Sequence, residues 1–223
     1  MQLKIDLHIH THYSYDSAIT PEELVYYARK RGLDAVAVTD HDRIDGALKI
    51  AKETDFLIIP GMEISSLNGH IVALNLQEPI PKELSVSETV DKIHEKDGLA
   101  VACHPITFFK ESLGAHTNSK FDAVEVINAS AIPFRYSVKH GEKIASRLGI
   151  PQVAGSDAHY GPEIGCAYTI IEAEPKVEEI INAIHKGKCQ PFGNAIPVTT
   201  RLKREFLILE RKFSLRGQKR REC

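Results

Sequence analysis

Apolar and polar side chains alternate from Leu3 to Ile9, the period-two pattern of a strand. A helix-start signal follows at Thr20-Pro21-Glu22-Glu23, with Thr20 as N-cap, Pro21 at the first helical position and Glu23 placed to complete a capping box. That helix runs to about Arg31 and Gly32 closes it. The same punctuation continues down the chain. Strands are predicted at Ala35–Val38, Phe56–Ile59, His70–Leu76 (paired with its predecessor through a turn at Asn68-Gly69), Leu99–Cys103, Val124–Ile127, Gln152–Ala154 and Tyr168–Ile171. Helices are predicted at Ile44–Glu53, Ser87–Lys96 (closed by Gly98), Phe134–Leu148 (closed by Gly149) and Lys176–His185. Strand-helix alternation argues for a mainly parallel α/β fold. About seven strands with no glycine-rich dinucleotide fingerprint favour a barrel over a Rossmann sheet. Residues 1–198 form the expected barrel domain. Residues 199–223 form a C-terminal extension, helical through the stripe Leu202, Phe206, Leu209 and Phe213 and ending in a basic tail from Arg216.

The polar residues fall where such a barrel would use them. Asp40-His41, Glu63, His104, Asn128 and Asp157 each follow a short apolar run, so they are expected at the C-terminal ends of strands, where barrel active sites collect. His8 and His10 are placed on one face of the first strand, with Leu7 and Ile9 on the other, about 7 Å apart along the chain. Two imidazoles so placed can grip one ion. Candidate ligands are His8, His10, Asp16, His41, Glu63, His104, Asp157 and His159, with His70 and His12 as further possibilities. Histidine and carboxylate without thiolate suits Mn, Zn or Fe, and the number of donors is enough for two or three divalent ions. Asp40 is read as a partner of a ligand histidine, and Cys103 as a buried small hydrophobe.

Bulk properties narrow the class. The chain has 223 residues, 43% hydrophobic and 26% charged, with a net charge of −2. From Arg201 onward nine Lys/Arg face three Asp/Glu, so the first 200 residues carry −8. An acidic body that handles an anionic substrate needs cations to meet it, and bound metal supplies them. Four cysteines without CxxC spacing suggest reduced thiols. With no apolar run of about 20 residues and no visible secretory signal, a cytoplasmic location without membrane contact is expected.

His8-Ile9-His10-Thr11, Thr39-Asp40-His41, Gly61-Met62-Glu63-Ile64, His104-Pro105 and Gly155-Ser156-Asp157-Ala158-His159 occur in one order. Together they resemble the PHP (polymerase and histidinol phosphatase) family over roughly residues 1–195. The resemblance implies a distorted (β/α)7 barrel with a trinuclear site at its mouth. It implies one ion on His8, His10, Glu63 and Asp157, a second on Glu63 and His104 with His70, and a third on Asp16, His41 and His159. Ser17 stands where the family has glycine after the aspartate. Family members include histidinol phosphatases, nucleotide phosphatases and domains of bacterial DNA polymerases.

The expected activity is a metal-dependent phosphomonoesterase acting on a small phosphorylated metabolite or nucleotide, in which a metal-bridging hydroxide attacks phosphorus. Asp157, His159 and Glu63 carry the catalytic assignment. Arg135, Asn128 and Arg43 are the expected substrate contacts, with Lys139, Lys110 and Lys120 behind them. Two alternatives belong to other classes. The chain could be an RNA-associated PHP-like protein, similar to a ribonuclease P subunit, docking nucleic acid through Arg216, Lys219, Arg220 and Arg221. It could also be a metal-dependent hydrolase of C–N or ester bonds. Oligomeric state is not legible.

Overall fold

The structure, a computed structural model, describes residues 1–108 and 112–207. Lys110, Leu209, Phe213 and the basic tail lie outside the described residues. The order is β1 (Gln2–Ile9), α1 (Pro21–Lys30), β2 (Ala35–Val38), α2 (Asp45–Glu53), β3 (Leu57–Ser66), β4 (Gly69–Leu74), α3 (Val86–His94), β5 (Leu99–Ala102), β6 (Ala123–Asn128), α4 (Phe134–Leu148), β7 (Gln152–Gly155), β8 (Ala167–Glu172), α5 (Val177–His185) and β9 (Cys189–Gly193). Residues 198–207 form a further helix, α6.

Local chemistry sets these boundaries. Thr20 and Glu23 close the expected capping box, and Ser85 with Glu88 closes a second at the start of α3. Gly149 ends α4 with φ +68°, a conformation that costs other residues a backbone clash. Two elements depart from expectation. β3 is ten residues long, so Glu63 lies inside it rather than beyond its end. Its first half pairs with β2 and its second half folds back on β4 as an antiparallel hairpin. β9 is an added edge strand, paired only with β8 among the described residues, which tolerates Pro191 because an edge needs no second ladder.

The nine strands form one sheet in the order β7-β6-β5-β4-β3-β2-β1-β8-β9. It curls until its ends meet. At its N-terminal end β1 pairs antiparallel with β8. At its C-terminal end β1 meets the segment after β7, through Asp157 N–H to the His8 carbonyl (2.8 Å) and His10 N–H to the Ala158 carbonyl (2.9 Å). Thr169 of β8 bonds both backbone groups of Ala154 in β7, at 2.8 and 3.0 Å. The result is a nearly closed, distorted TIM-like barrel of mixed strand direction.

Two apolar clusters lie on the two sides of this sheet. The outer one joins Val36, Ile64 and Ala102 to Leu24, Ile50, Ile93 and Ala145 of α1 to α4. The inner one holds Leu3, Ile5, Leu7, Ile59, Leu74 and Val101, with Ile180 and Ile184 of α5 covering its N-terminal end. The inner cluster fills the barrel and leaves polar residues to the opposite end, the mouth. Leu7 belongs to the inner cluster and Ile9 to the outer one, which corrects the simple alternation. The register of β1 against β2 shifts between Asp6 and Ile9. This bulge changes the phase, so Leu7 and His8 both serve the interior.

No helix among the described residues is long and apolar enough to cross a membrane. Cys103, Cys166 and Cys189 are free thiols.

Candidate metal centre

Glu63 is the hub of the mouth. Its side chain is buried, and its two oxygens divide five imidazoles between them. Oε2 lies 3.3 Å from His8 Nε2, 3.1 Å from His10 Nε2 and 3.3 Å from His41 Nδ1. Oε1 lies 3.0 Å from His70 Nδ1 and 2.8 Å from His104 Nε2. Asp157 Oδ1 completes the side toward β1, 3.8 Å from His8 Nε2 and 3.5 Å from His10 Nε2. Asp16 Oδ2 stands between His41 Nε2 at 3.3 Å and His159 Nε2 at 3.1 Å.

These residues arrive from separate elements. The β1 bulge aims His8 inward, and Gly155 permits the close approach of β7: a Cβ there would lie 2.4 Å from the His8 Cβ. Gly61 does the same inside β3, where a Cβ would lie 2.5 Å from the Ala73 carbonyl oxygen. His104 and Asp157 hold positive φ, +31° and +54°, which is strained backbone for residues with a side chain. Such strain collects at functional sites because the surrounding contacts hold it in place.

The donor set fits divalent ions. His10, Asp16, His41 and His159 converge as one group, His8, His10 and Glu63 as a second, and His8, His104 and Asp157 as a third. His41, Glu63 and His70 form a fourth, and Glu63, Cys103 and His104 a fifth. His8 Nε2 and His10 Nε2 approach to 3.2 Å, the disposition of two nitrogens aimed at a common centre. Asp16 Oδ1 is buried without a hydrogen-bond partner among the described residues, an acceptor that a cation would satisfy.

A further shell orients these rings, as ligand histidines require. Glu125, not singled out from the sequence, takes His8 Nδ1 at 3.1 Å, leaving His8 Nε2 for the centre. Its other oxygen accepts the His104 N–H (2.9 Å) and the Asn128 amide (2.9 Å). The signal for it was a carboxylate inside the apolar run Ala123-Val124-Glu125-Val126-Ile127, facing the same interior as Ala123. His10 Nδ1 meets Ser14 Oγ at 3.3 Å, and His159 Nδ1 meets the Asp157 carbonyl at 3.0 Å. Asp6 is buried and accepts the Ser156 and Gly165 N–H groups at 2.8 and 2.9 Å, tying β1 to the loop that carries Asp157.

The remaining candidates have other partners. The Asn128 amide donates to Glu125 and, at 3.1 Å, to Asp157 Oδ2, so it positions a ligand candidate. Arg43 pairs with Asp45 at 2.5 Å and donates to the Tyr13 carbonyl at 3.1 Å. Asp40 holds Thr11 through both its N–H and its hydroxyl, rather than a ligand histidine. His12 lies against Tyr13, ring centroids 4.4 Å apart, outside the five groups. Arg135 is exposed on the first turn of α4, at the mouth, and Lys120 is engaged by Asp91. Cys103 is buried, its thiol 3.6 Å from Glu63 Oε1.

Charge follows this geometry. Burial works against the Glu63 carboxylate, but His8, His41, His10 and His104 outweigh it and hold its pKa well below the usual range. Asp16 is depressed likewise: burial opposes ionisation and His159 and His41 override it. Burial also opposes charging His8, yet Glu125 and Glu63 raise its pKa to about 9. Burial dominates at His10, lowering it to about 4, and at Asp6, raising it to about 6.

Glu125→Gln is expected to weaken metal binding by about 10–100-fold, the range for outer partners of metal ligands, while the protein stays folded. Titration of the metal-free protein with Mn2+ checks this, and unchanged affinity would remove Glu125 from that role.

A barrel whose mouth gathers histidine and carboxylate around a shared glutamate has the donor set of a metal-binding site. A PHP-associated family model matches residues 139–189. An uncharacterized protein of Methanocaldococcus jannaschii is 40% identical over 141 residues, 57% of this chain and 82% of that protein. A 5'-3' exoribonuclease of Haemophilus influenzae is 35% identical over 108 residues, 45% of this chain and 39% of that protein. A two-domain Bacteroides vulgatus protein containing a predicted PHP-like metal-dependent phosphoesterase superposes with a TM-score of 0.70 at 18% identity, over 87% of this chain and 65% of that one. The matched segment and the shared fold support a PHP family protein.

Proposed function

We propose that the protein is a metal-dependent phosphomonoesterase acting on a small phosphorylated metabolite or nucleotide. The observation that carries this reading is the Glu63 carboxylate shared among five imidazoles, flanked by Asp157 and Asp16. His8, His10, Glu63 and Asp157 would hold one ion, Glu63 and His104 with His70 a second, and Asp16, His41 and His159 a third. Mn, Zn or Fe bound there would supply Lewis acidity toward phosphoryl oxygens and a nucleophilic water at neutral pH. The chain supplies position. Glu125 fixes the His8 ring and Asn128 fixes Asp157, so the donors are set before substrate arrives. Ser14 and Ser17 are occupied by His10 and by backbone carbonyls. Arg135, exposed on the first turn of α4, is the substrate contact this reading calls on.

A second reading, hydrolysis at the end of a short oligonucleotide, has its own support. Arg135, Lys139, Lys143 and Arg147 lie four residues apart along α4, all exposed and without an ion pair among the described residues. Their spacing is about 6 Å per step, and the row runs down the barrel wall from the mouth. Phe108, Tyr136 and His140 form an aromatic group beside its upper end, with centroids 5.6 and 3.9 Å apart. Cations beside exposed rings suit single-stranded nucleic acid. The likeness to an exoribonuclease points the same way.

Phosphate release from a panel of phosphomonoesters, with a 5'-phosphorylated oligonucleotide as one member, tests both readings. Mn2+-dependent release is expected. Asp157→Asn is expected to lose more than the roughly 10–100-fold typical of an outer-shell change. Oligonucleotide shortening in place of monoester hydrolysis would select the second reading. Failure on every phosphate ester with metal bound would favour C–N or ester hydrolysis.

A further inference from the structure

The helix α6 lies outside the motifs and outside the matched family segment, yet two of its arginines reach the loops that carry the metal donors. Arg204 Nη1 contacts Glu163 Oε1 at 3.3 Å. Glu163 is fully buried in the turn Gly161–Glu163, and its Oε2 accepts the backbone N–H of His159 at 2.9 Å and of Tyr160 at 3.2 Å. One buried carboxylate therefore links an α6 guanidinium to the backbone of a candidate ligand. One helical turn earlier, Arg201 donates to the carbonyls of Ile196 (3.1 Å), Ser130 (3.0 Å) and Ala129 (2.9 Å). Ala129 follows Asn128, whose amide holds Asp157 and Glu125. Ile196 N–H also bonds the Ala129 carbonyl, at 2.9 Å. The segment after β9 thus straps the ends of β6 and β7 together.

Electrostatics explains why Arg204 matters most. A carboxylate removed from water needs a charged partner, and breaking such a pair costs more than the pair contributes. Glu163 gives Oε2 to both N–H groups at the His159 turn and Oε1 to Arg204. His159 in turn faces Asp16, the donor it shares with His41. His8, His10, Glu63 and His104 are held from other elements, by β1, β3 and Glu125.

We infer that Arg204, acting through Glu163, is a positioning residue for His159, and that α6 thereby sets the affinity of the ion held by Asp16, His41 and His159. The inference rests on the metal-centre reading above. Loss of the arginine loosens one donor and leaves the Glu63 cluster intact, so its effect is confined to one part of the site. Arg201 acts beside it on the Asn128 turn.

The test titrates the full-length metal-free chain with Mn2+, counting bound ions by electron paramagnetic resonance, for wild type, Arg204→Ala, Arg204→Lys, Glu163→Gln and the double variant Arg204→Ala/Glu163→Gln. Wild type is expected to bind in more than one affinity class. Arg204→Ala should weaken one class by about tenfold or more, within the range for groups behind a ligand, and leave the others in place. Arg204→Lys should recover part of the loss. The double variant should be no weaker than the worse single one, because the two groups act as a unit. Should Arg204→Ala fail to fold, Arg204→Lys and Glu163→Gln carry the same comparison. Equal weakening of every class, tracking a fall in melting temperature, would reduce Arg204 to a structural role and overturn the inference. So would wild-type isotherms in all variants. If wild type binds no ion, the metal-centre reading fails first and this inference falls with it.

Discussion

Glu63→Gln is expected to empty more than one metal position at once. Both carboxylate oxygens are in use, Oε2 toward His8, His10 and His41 and Oε1 toward His70 and His104. The amide keeps the shape but removes the charge, and it turns an N–H2 group toward nitrogen donors that also point inward. No neighbouring carboxylate takes over, since Asp157 sits toward His8 and His10 and Asp16 toward His41 and His159. Metal content measured after dialysis should fall by at least two ions relative to the other single variants. Turnover should fall by more than about 100-fold, the upper limit for changes behind a ligand. Retention of wild-type metal content would show that the carboxylate bridges nothing.

Gly155→Ala should produce the second large effect, with no charge changed. An added Cβ would lie 2.4 Å from the His8 Cβ, 2.7 Å from Glu125 Oε1 and 2.9 Å from the His8 nitrogen. Two of these belong to the strand that β7 must approach for the barrel to close, and the third to the carboxylate that orients His8. Relief requires either the strand or the ring to shift. The expected cost is about 1–3 kcal/mol of stability, as for other overpacked positions. Weakened metal binding should accompany it, because the displaced group is His8. Gly149→Ala is the matched comparison. A Cβ at Gly149 meets nothing within 4 Å, so only its positive φ is penalised, by about 1–2 kcal/mol. Chemical denaturation and metal titration of both variants separate the two cases: both lose stability, and only Gly155→Ala loses metal. Normal metal binding in Gly155→Ala would mean that the strand approach does not position His8.

Local sequence was sufficient wherever the determining groups are near neighbours. Thr20 and Glu23 meet across one helical turn, and Gly149 needs only its own backbone freedom. The short apolar runs mark strands because buried strands need few other cues. The imidazoles and carboxylates that meet at the mouth were legible as candidate donors for the same reason: at the ends of such runs they have few other uses in concert. Tertiary structure decided the rest, through contacts that join distant positions. His8 and Glu125 are 117 residues apart, and Glu125 reads locally as one polar residue in an apolar strand. The register shift in β1 depends on pairing with β2 and on the return of β7, so alternation within Leu3–Ile9 could not show that Leu7 and His8 share the interior. Asn128, Arg43 and Asp40 carry donors and charges suited to substrate or ligand work, and the fold commits them to Asp157, Asp45 and Thr11. The basic charge near the C-terminus was visible as composition. That one of those arginines reaches Glu163, and through it the His159 backbone, follows only from where α6 packs, because a side chain's partner is set by the path of the whole chain and not by its neighbours in sequence.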